Sequence, residues 1–153
     1  MTQFPRIATL GPLAVAAVTA AFTILIHAMA LSATLKFLRY ERKLGRVGAT
    51  FWSDFGIVAL AMAFTLVAHL IEIAVWAVVF VICGEFSELG TAYYHSAVNY
   101  TTLGYGDMLM TPPWRLLGPL EAANGMLLFG VSTAAIFAVI QKLIEIRFVD
   151  LKS

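Results

Sequence analysis

The chain reads as an all-α membrane protein, and three observations carry that reading. It has 153 residues, of which 61% are hydrophobic and only 12% charged, well above the apolar share of a soluble domain. Three apolar stretches reach the roughly 20 residues needed to cross a bilayer; they run over about residues 11–35, 55–82 and 116–140. A shorter mixed stretch, residues 84–115, is too polar to cross lipid unaided. The expected architecture is therefore three transmembrane helices with a re-entrant element between the second and third.

Each span has its own signals. The first is followed by Lys36, Arg39, Arg42, Lys43 and Arg46, against Glu41 and Asp54. The second leads into a connection carrying Glu85, Glu88 and Asp107 with only Arg115. The third is followed by Lys142, Arg147 and Lys152. Short loops rich in Lys and Arg stay cytoplasmic, which predicts an outside N-terminus, a cytoplasmic C-terminus and a cell-membrane location. Ala28-Met29-Ala30 also resembles a signal-peptidase site. Against cleavage there, the preceding apolar run is too long, only Arg6 precedes it, and the basic cluster would be left outside.

Composition excludes several function classes. The net charge of +1 is not spread into a basic stripe, so no nucleic-acid partner is expected. A single cysteine, Cys83, forms no intrachain disulfide, and His27, His69 and His95 are too scattered for metal-ligand spacing. Nothing resembles a nucleophile with its base, a paired-carboxylate site or a phosphate-cradling loop, so no enzyme is expected. There is no helix with arginine at every third position, as a voltage sensor requires.

The informative stretch is Tyr100-Thr101-Thr102-Leu103-Gly104-Tyr105-Gly106-Asp107. It resembles the filter signature of the two-helix pore-domain family of potassium channels, over about residues 55–142, with the first span as an addition. The resemblance implies a homotetramer in a lipid bilayer, conducting K+ passively past backbone carbonyls of Thr102, Leu103, Gly104, Tyr105 and Gly106. It implies no cofactor beyond the permeant K+ itself. Leu103 stands where the family usually has valine, its side chain expected to point away from the ion. Successive carbonyls face one way only where alternate residues accept left-handed angles, which Gly104 and Gly106 do. Thr102 adds a hydroxyl at the inner end, Tyr105 is expected to brace the strand from behind, and Asp107 sits just outside the mouth. One strand cannot close a pore, and irregular backbone at membrane depth needs protein or water around it.

Residues 91–101 read as a pore helix with Thr91 as N-cap, its C-terminal end favouring a cation. Tyr94 and His95 stand where many relatives carry a tryptophan pair. With Thr101 and Asp107 they are the expected supports of the filter, His95 through a bond to Tyr105. Val98 replaces a glutamate found in some relatives, which removes a carboxyl partner for Asp107. In the third span, Pro112, Pro113, Trp114 and Pro119 mark its approach and start. Gly125 is by resemblance a gating hinge, although small residues there also serve helix packing. Met126, Phe129, Thr133, Ile136 and Ile140 form one face, expected to line the cavity with Ile136 or Ile140 as constriction. Ser132 and Thr133 either wet that cavity or bond their own backbone.

Glu72, with His69 one turn earlier, is an ionisable group in a span and a functional candidate by default. For Glu72 a structural role, partnered by His27 or a neighbouring subunit, is favoured over proton sensing, and pH gating through His95 or Glu72 stands as a hypothesis to test. Glu121 and Asn124 are expected to bond behind the filter or to Arg115. The expected domains are 1–54, an added helix and basic loop; 55–142, the pore module; and 143–153, a short tail. A less selective cation channel and a non-conducting channel-associated subunit remain the alternatives. The first is disfavoured because less selective relatives tend to replace Tyr105.

Overall fold

The computed structural model describes residues 9–150, the side chains of 148–150 apart; Arg6 and Lys152 lie outside the described residues. Four helices follow in order: α1 Leu10–Lys43, α2 Phe51–Ile82, α3 Leu89–Tyr100 and α4 Leu117–Asp150. The described residues contain no strand. α1, α2 and α4 are each long and apolar enough to cross a membrane. Their surfaces agree: Phe22, Phe55, Leu66 and Leu127 are each more than half exposed, apolar area that a bilayer would cover.

The helices outrun the apolar stretches because their flanks also carry helix signals. The α1 helix continues through the basic residues to Lys43 and closes at Gly45, left-handed at φ +68°. There the Gly45 and Arg46 amides return to the Arg42 and Glu41 carbonyls, a Schellman close. The start of α2 lies four residues before the predicted span, capped by the Thr50 hydroxyl on the Ser53 amide at 3.2 Å. Pro12 and Pro119 sit in the first turns of α1 and α4, where a missing N–H costs nothing.

The chain forms two compact units. The first combines the chain up to Leu25 with Leu70–Leu128. Its core gathers Trp76, Phe80, Ala92, Tyr100 and Leu117, all fully buried. Within it the Asn124 amide donates to the Thr23 hydroxyl at 2.8 Å, while that hydroxyl donates to the Ala20 carbonyl of its own helix at 2.9 Å.

The second unit combines Ile26–His69 with the chain from Phe129 onward. Ile57, Val139 and Leu143 form its apolar centre against Phe37, Leu38, Val47 and Val58. Ser132 lies buried between two histidines, its oxygen 2.9 Å from His69 Nε2 and 3.1 Å from His27 Nε2. A hydroxyl holds one proton, so with neutral rings it donates to one imidazole and accepts from the other. Of the two expectations for Ser132, wetting a cavity and bonding its own backbone, neither is what it does. Thr133 does return to its own helix, donating to the Phe129 carbonyl at 2.9 Å. At the far end, Asp54 accepts from the Gly48 amide at 2.9 Å and faces Arg147 at 3.9 Å.

Candidate functional site

α3 is the element that aims the Thr102–Gly106 segment. Its N-cap is Glu88, in extended conformation and without a side-chain cap bond. This corrects the placement of the cap at Thr91, because Leu89 and Gly90 join the helix and the Ala92 amide already bonds the Glu88 carbonyl. At the other end the helix tightens over Thr101 and Thr102, whose amides return to Ala97 and Asn99. The Val98 carbonyl then accepts two amides, Leu103 at 2.9 Å and Gly104 at 3.2 Å.

Past that point the backbone alternates. Thr102, Gly104 and Gly106 have φ of +60°, +58° and +72°, and Thr102 is the one non-glycine at positive φ among the described residues. A β-branched residue there costs roughly 1–2 kcal/mol, strain that tends to collect at functional sites. The alternation expected at the two glycines thus starts one step earlier, which residue type alone did not signal. The segment is open in the single chain: Leu103 is 55% and Tyr105 66% exposed.

The supports differ in part from expectation. Tyr94 donates to Asp107 Oδ2 at 2.9 Å, and that bond holds its phenol above the ordinary tyrosine value. Asp107 thus takes a hydroxyl partner from α3 where no carboxyl is present. His95 accepts from the Asn99 amide at 2.8 Å instead of bonding Tyr105. Phe80 and Phe86 pack on its ring at 5.5 and 4.8 Å. Burial holds His95 below the ordinary histidine value, with Asp107 and Glu85 acting the other way. Thr101 donates to the Ala97 carbonyl at 2.6 Å. Further out, Glu85 accepts from the Thr111 amide at 2.7 Å and its hydroxyl at 2.5 Å.

Two buried acids meet α3. The Tyr100 hydroxyl donates to Glu72, and the Ser96 hydroxyl lies 2.5 Å from Glu121 Oε1 and 2.9 Å from the Ile73 carbonyl. All four side chains are fully buried. Glu121 therefore bonds α3, not Arg115, whose Nε donates to the Met110 carbonyl at 3.3 Å. Ser96 and Tyr100 were missed as partners; their four-residue spacing on one helix face is the signal that was there to find.

On α4, Gly125 packs against the end of α3. A Cβ there would run into the Tyr100 carbonyl oxygen, with the carbonyl carbon at 3.1 Å and Cδ1 at 3.2 Å. Gly130 has open space around it. Of the face expected to line a cavity, Met126 and Thr133 are exposed. Phe129 and Ile136 border a groove shared with Met62, Leu66 and His69 of α2, and Phe129 stacks on His69 at 4.2 Å. Ile140 borders a second groove with Phe55 and Val58.

Residues 68–142 match the family model described as an ion channel. The match begins within α2, takes in α3 and the Thr102–Gly106 segment, and ends within α4. It supports an ion channel as the activity of this module and, with the three long apolar helices, a multi-pass membrane protein. Comparison with curated proteins and with solved structures gives no match.

Proposed function

We propose that the chain is one subunit of a homotetrameric, potassium-selective channel that conducts K+ passively, with no enzymatic step. The observation that carries this reading is the alternating left-handed backbone at Thr102, Gly104 and Gly106, within the sequence Thr-Leu-Gly-Tyr-Gly at the end of α3. Alternation of this kind turns successive carbonyls to one side, the arrangement that replaces a potassium ion's hydration oxygens. One chain supplies one such strand and leaves it exposed, and four strands around an axis would enclose a pore.

In this assembly the carbonyls of Thr102 to Tyr105 are the ion sites, and Tyr105 packs on a neighbouring subunit. The α4 face of Met126, Phe129, Thr133, Ile136 and Ile140 lines the cavity in this reading. Ile136 or Ile140 is the proposed constriction. Lys and Arg placement puts the N-terminus outside and the C-terminus in the cytoplasm.

The test is flux into liposomes holding purified full-length protein. Potassium uptake that barium blocks, absent when sodium replaces potassium, is the expected result. Gly104→Ala forces a side chain onto a residue at φ +58°, so this variant is expected to lose the flux or its preference for potassium. Unchanged selectivity in that variant overturns the reading.

A further inference from the structure

The proposed filter hangs from α3, so whatever fixes α3 fixes the filter. Ser96 and Tyr100 stand four residues apart and look out from one face of that helix. Each ends on a buried acid from a different helix, Glu121 of α4 and Glu72 of α2. Val98 lies between them in sequence, and its carbonyl holds the Leu103 and Gly104 amides. The path from acids to filter is therefore short: carboxyl, hydroxyl, one turn of helix, Val98 carbonyl, filter amide.

Two carboxyl groups at this depth are costly. Apolar packing alone would hold α3 against its neighbours, but it tolerates sliding and rotation far better than directed bonds do. The Ser96 bond is the more exacting of the two. Its hydroxyl has one proton and faces two oxygens, the Ile73 carbonyl and Glu121 Oε1. That proton is shared between the two oxygens, or the Glu121 side supplies the second hydrogen.

We infer that Glu72 and Glu121 are positioning residues for ion selectivity, acting through Tyr100 and Ser96 to hold the Val98 carbonyl, and with it Leu103 and Gly104, in register. The inference rests on the reading of Thr102–Gly106 as a potassium filter. Neither acid touches an ion; each sets where the ion's ligands stand.

The experiment compares full-length wild type with Tyr100→Phe, Ser96→Ala, Glu72→Leu and Glu72→Gln. Reversal potentials in planar bilayers give the potassium-to-sodium permeability ratio. Backbone hydrogen exchange gives the protection of the Leu103 and Gly104 amides in the same preparations. Tyr100→Phe removes one oxygen and leaves the packed ring, so unchanged elution volume and helix content are expected. Its permeability ratio is expected to fall at least about tenfold, the ratio that ~1.4 kcal/mol of differential binding sets, with faster exchange at both amides. Ser96→Ala and Glu72→Leu are expected to do the same, whereas Glu72→Gln, which keeps an acceptor for Tyr100, restores ratio and protection. The inference is overturned if Tyr100→Phe and Ser96→Ala keep the wild-type exchange pattern, or if they speed exchange without moving the ratio. It is also overturned if Glu72→Gln is as damaging as Glu72→Leu. A wild type that passes no potassium refutes the pore reading and the selectivity role together. In that case the exchange data still decide whether the two acids hold the segment.

Discussion

Two glycines of α4, five residues apart, make opposite predictions when changed to alanine. At Gly130 nothing lies within 4 Å of the added Cβ, so the change only removes backbone freedom from the unfolded chain, a gain of about 0.5–1 kcal/mol. At Gly125 the same methyl meets the Tyr100 carbonyl group head-on, with its carbon at 3.1 Å and the ring Cδ1 at 3.2 Å. That neighbour is backbone at the end of α3 and cannot swing aside like a flexible side chain. Overpacking of this kind costs about 1–3 kcal/mol, which leaves a net loss of up to about 2.5 kcal/mol after the helix gain. For a chain of this size that corresponds to a melting-temperature fall of up to roughly 10 °C. Thermal unfolding in detergent, followed by fluorescence with the fully buried Trp76 among the reporters, measures both variants. If Gly125→Ala melts with or above Gly130→Ala, the close packing of Gly125 on α3 is wrong. A pure hinge at Gly125, the role its family resemblance implies, predicts that result together with a changed open probability.

Other perturbations read other contacts. Thr23→Val and Asn124→Leu in a double-mutant cycle should couple by about 0.6–1.7 kcal/mol, the span found for hydrogen bonds between membrane helices; additivity would mean that the 2.8 Å contact does not form. Ser132→Ala removes a buried hydroxyl that bonds both His27 and His69, and each lost bond is worth about 0.5–1.5 kcal/mol, so a drop in thermal stability is expected; an unchanged melting temperature would mean that the bridge does not form. Acid should also destabilise the fold through His95. Its folded pKa lies below the ordinary value, so the unfolded chain binds the proton more readily, and stability falls as pH drops below about 6.5. Melting curves at about pH 5 and about pH 8 should therefore differ, and His95→Asn should narrow the gap; a gap of the same size in the variant would assign the effect to another group.

Much of this architecture was legible because its signals are local. Apolar length marks the spans, and eight consecutive residues around Gly104-Tyr105-Gly106 mark the loop between the second and third. What a polar side chain inside a helix touches is a different kind of information. Thr133 and Ser132 are neighbours of similar chemistry, yet one returns to its own backbone and the other bridges His27 and His69. Helix periodicity gives the face on which each lies but not the rotation at which another helix meets that face. Glu72 was singled out as ionisable, while its partner Tyr100 lies 28 residues away on a different helix. The four-residue spacing of Ser96 and Tyr100 marks a shared polar face of α3, but it does not say which helix supplies the acid.

Lipid makes such partners decisive. Between membrane helices there is little hydrophobic gain to separate one apolar face from another, because lipid tails are as apolar as leucine. Close approach of small residues and satisfied polar groups then select one packing from many. In this chain the two devices converge on α3: Ser96 and Tyr100 are bonded from α4 and α2, and Gly125 lets the Tyr100 carbonyl come close. Each of these residues reads as unremarkable in isolation, a serine, a tyrosine and a glycine in apolar surroundings. Their meaning appears only around α3, the helix that all three contact or belong to and that leads into the positive-φ turn at Thr102, since strain of that kind persists only where its surroundings over-determine it.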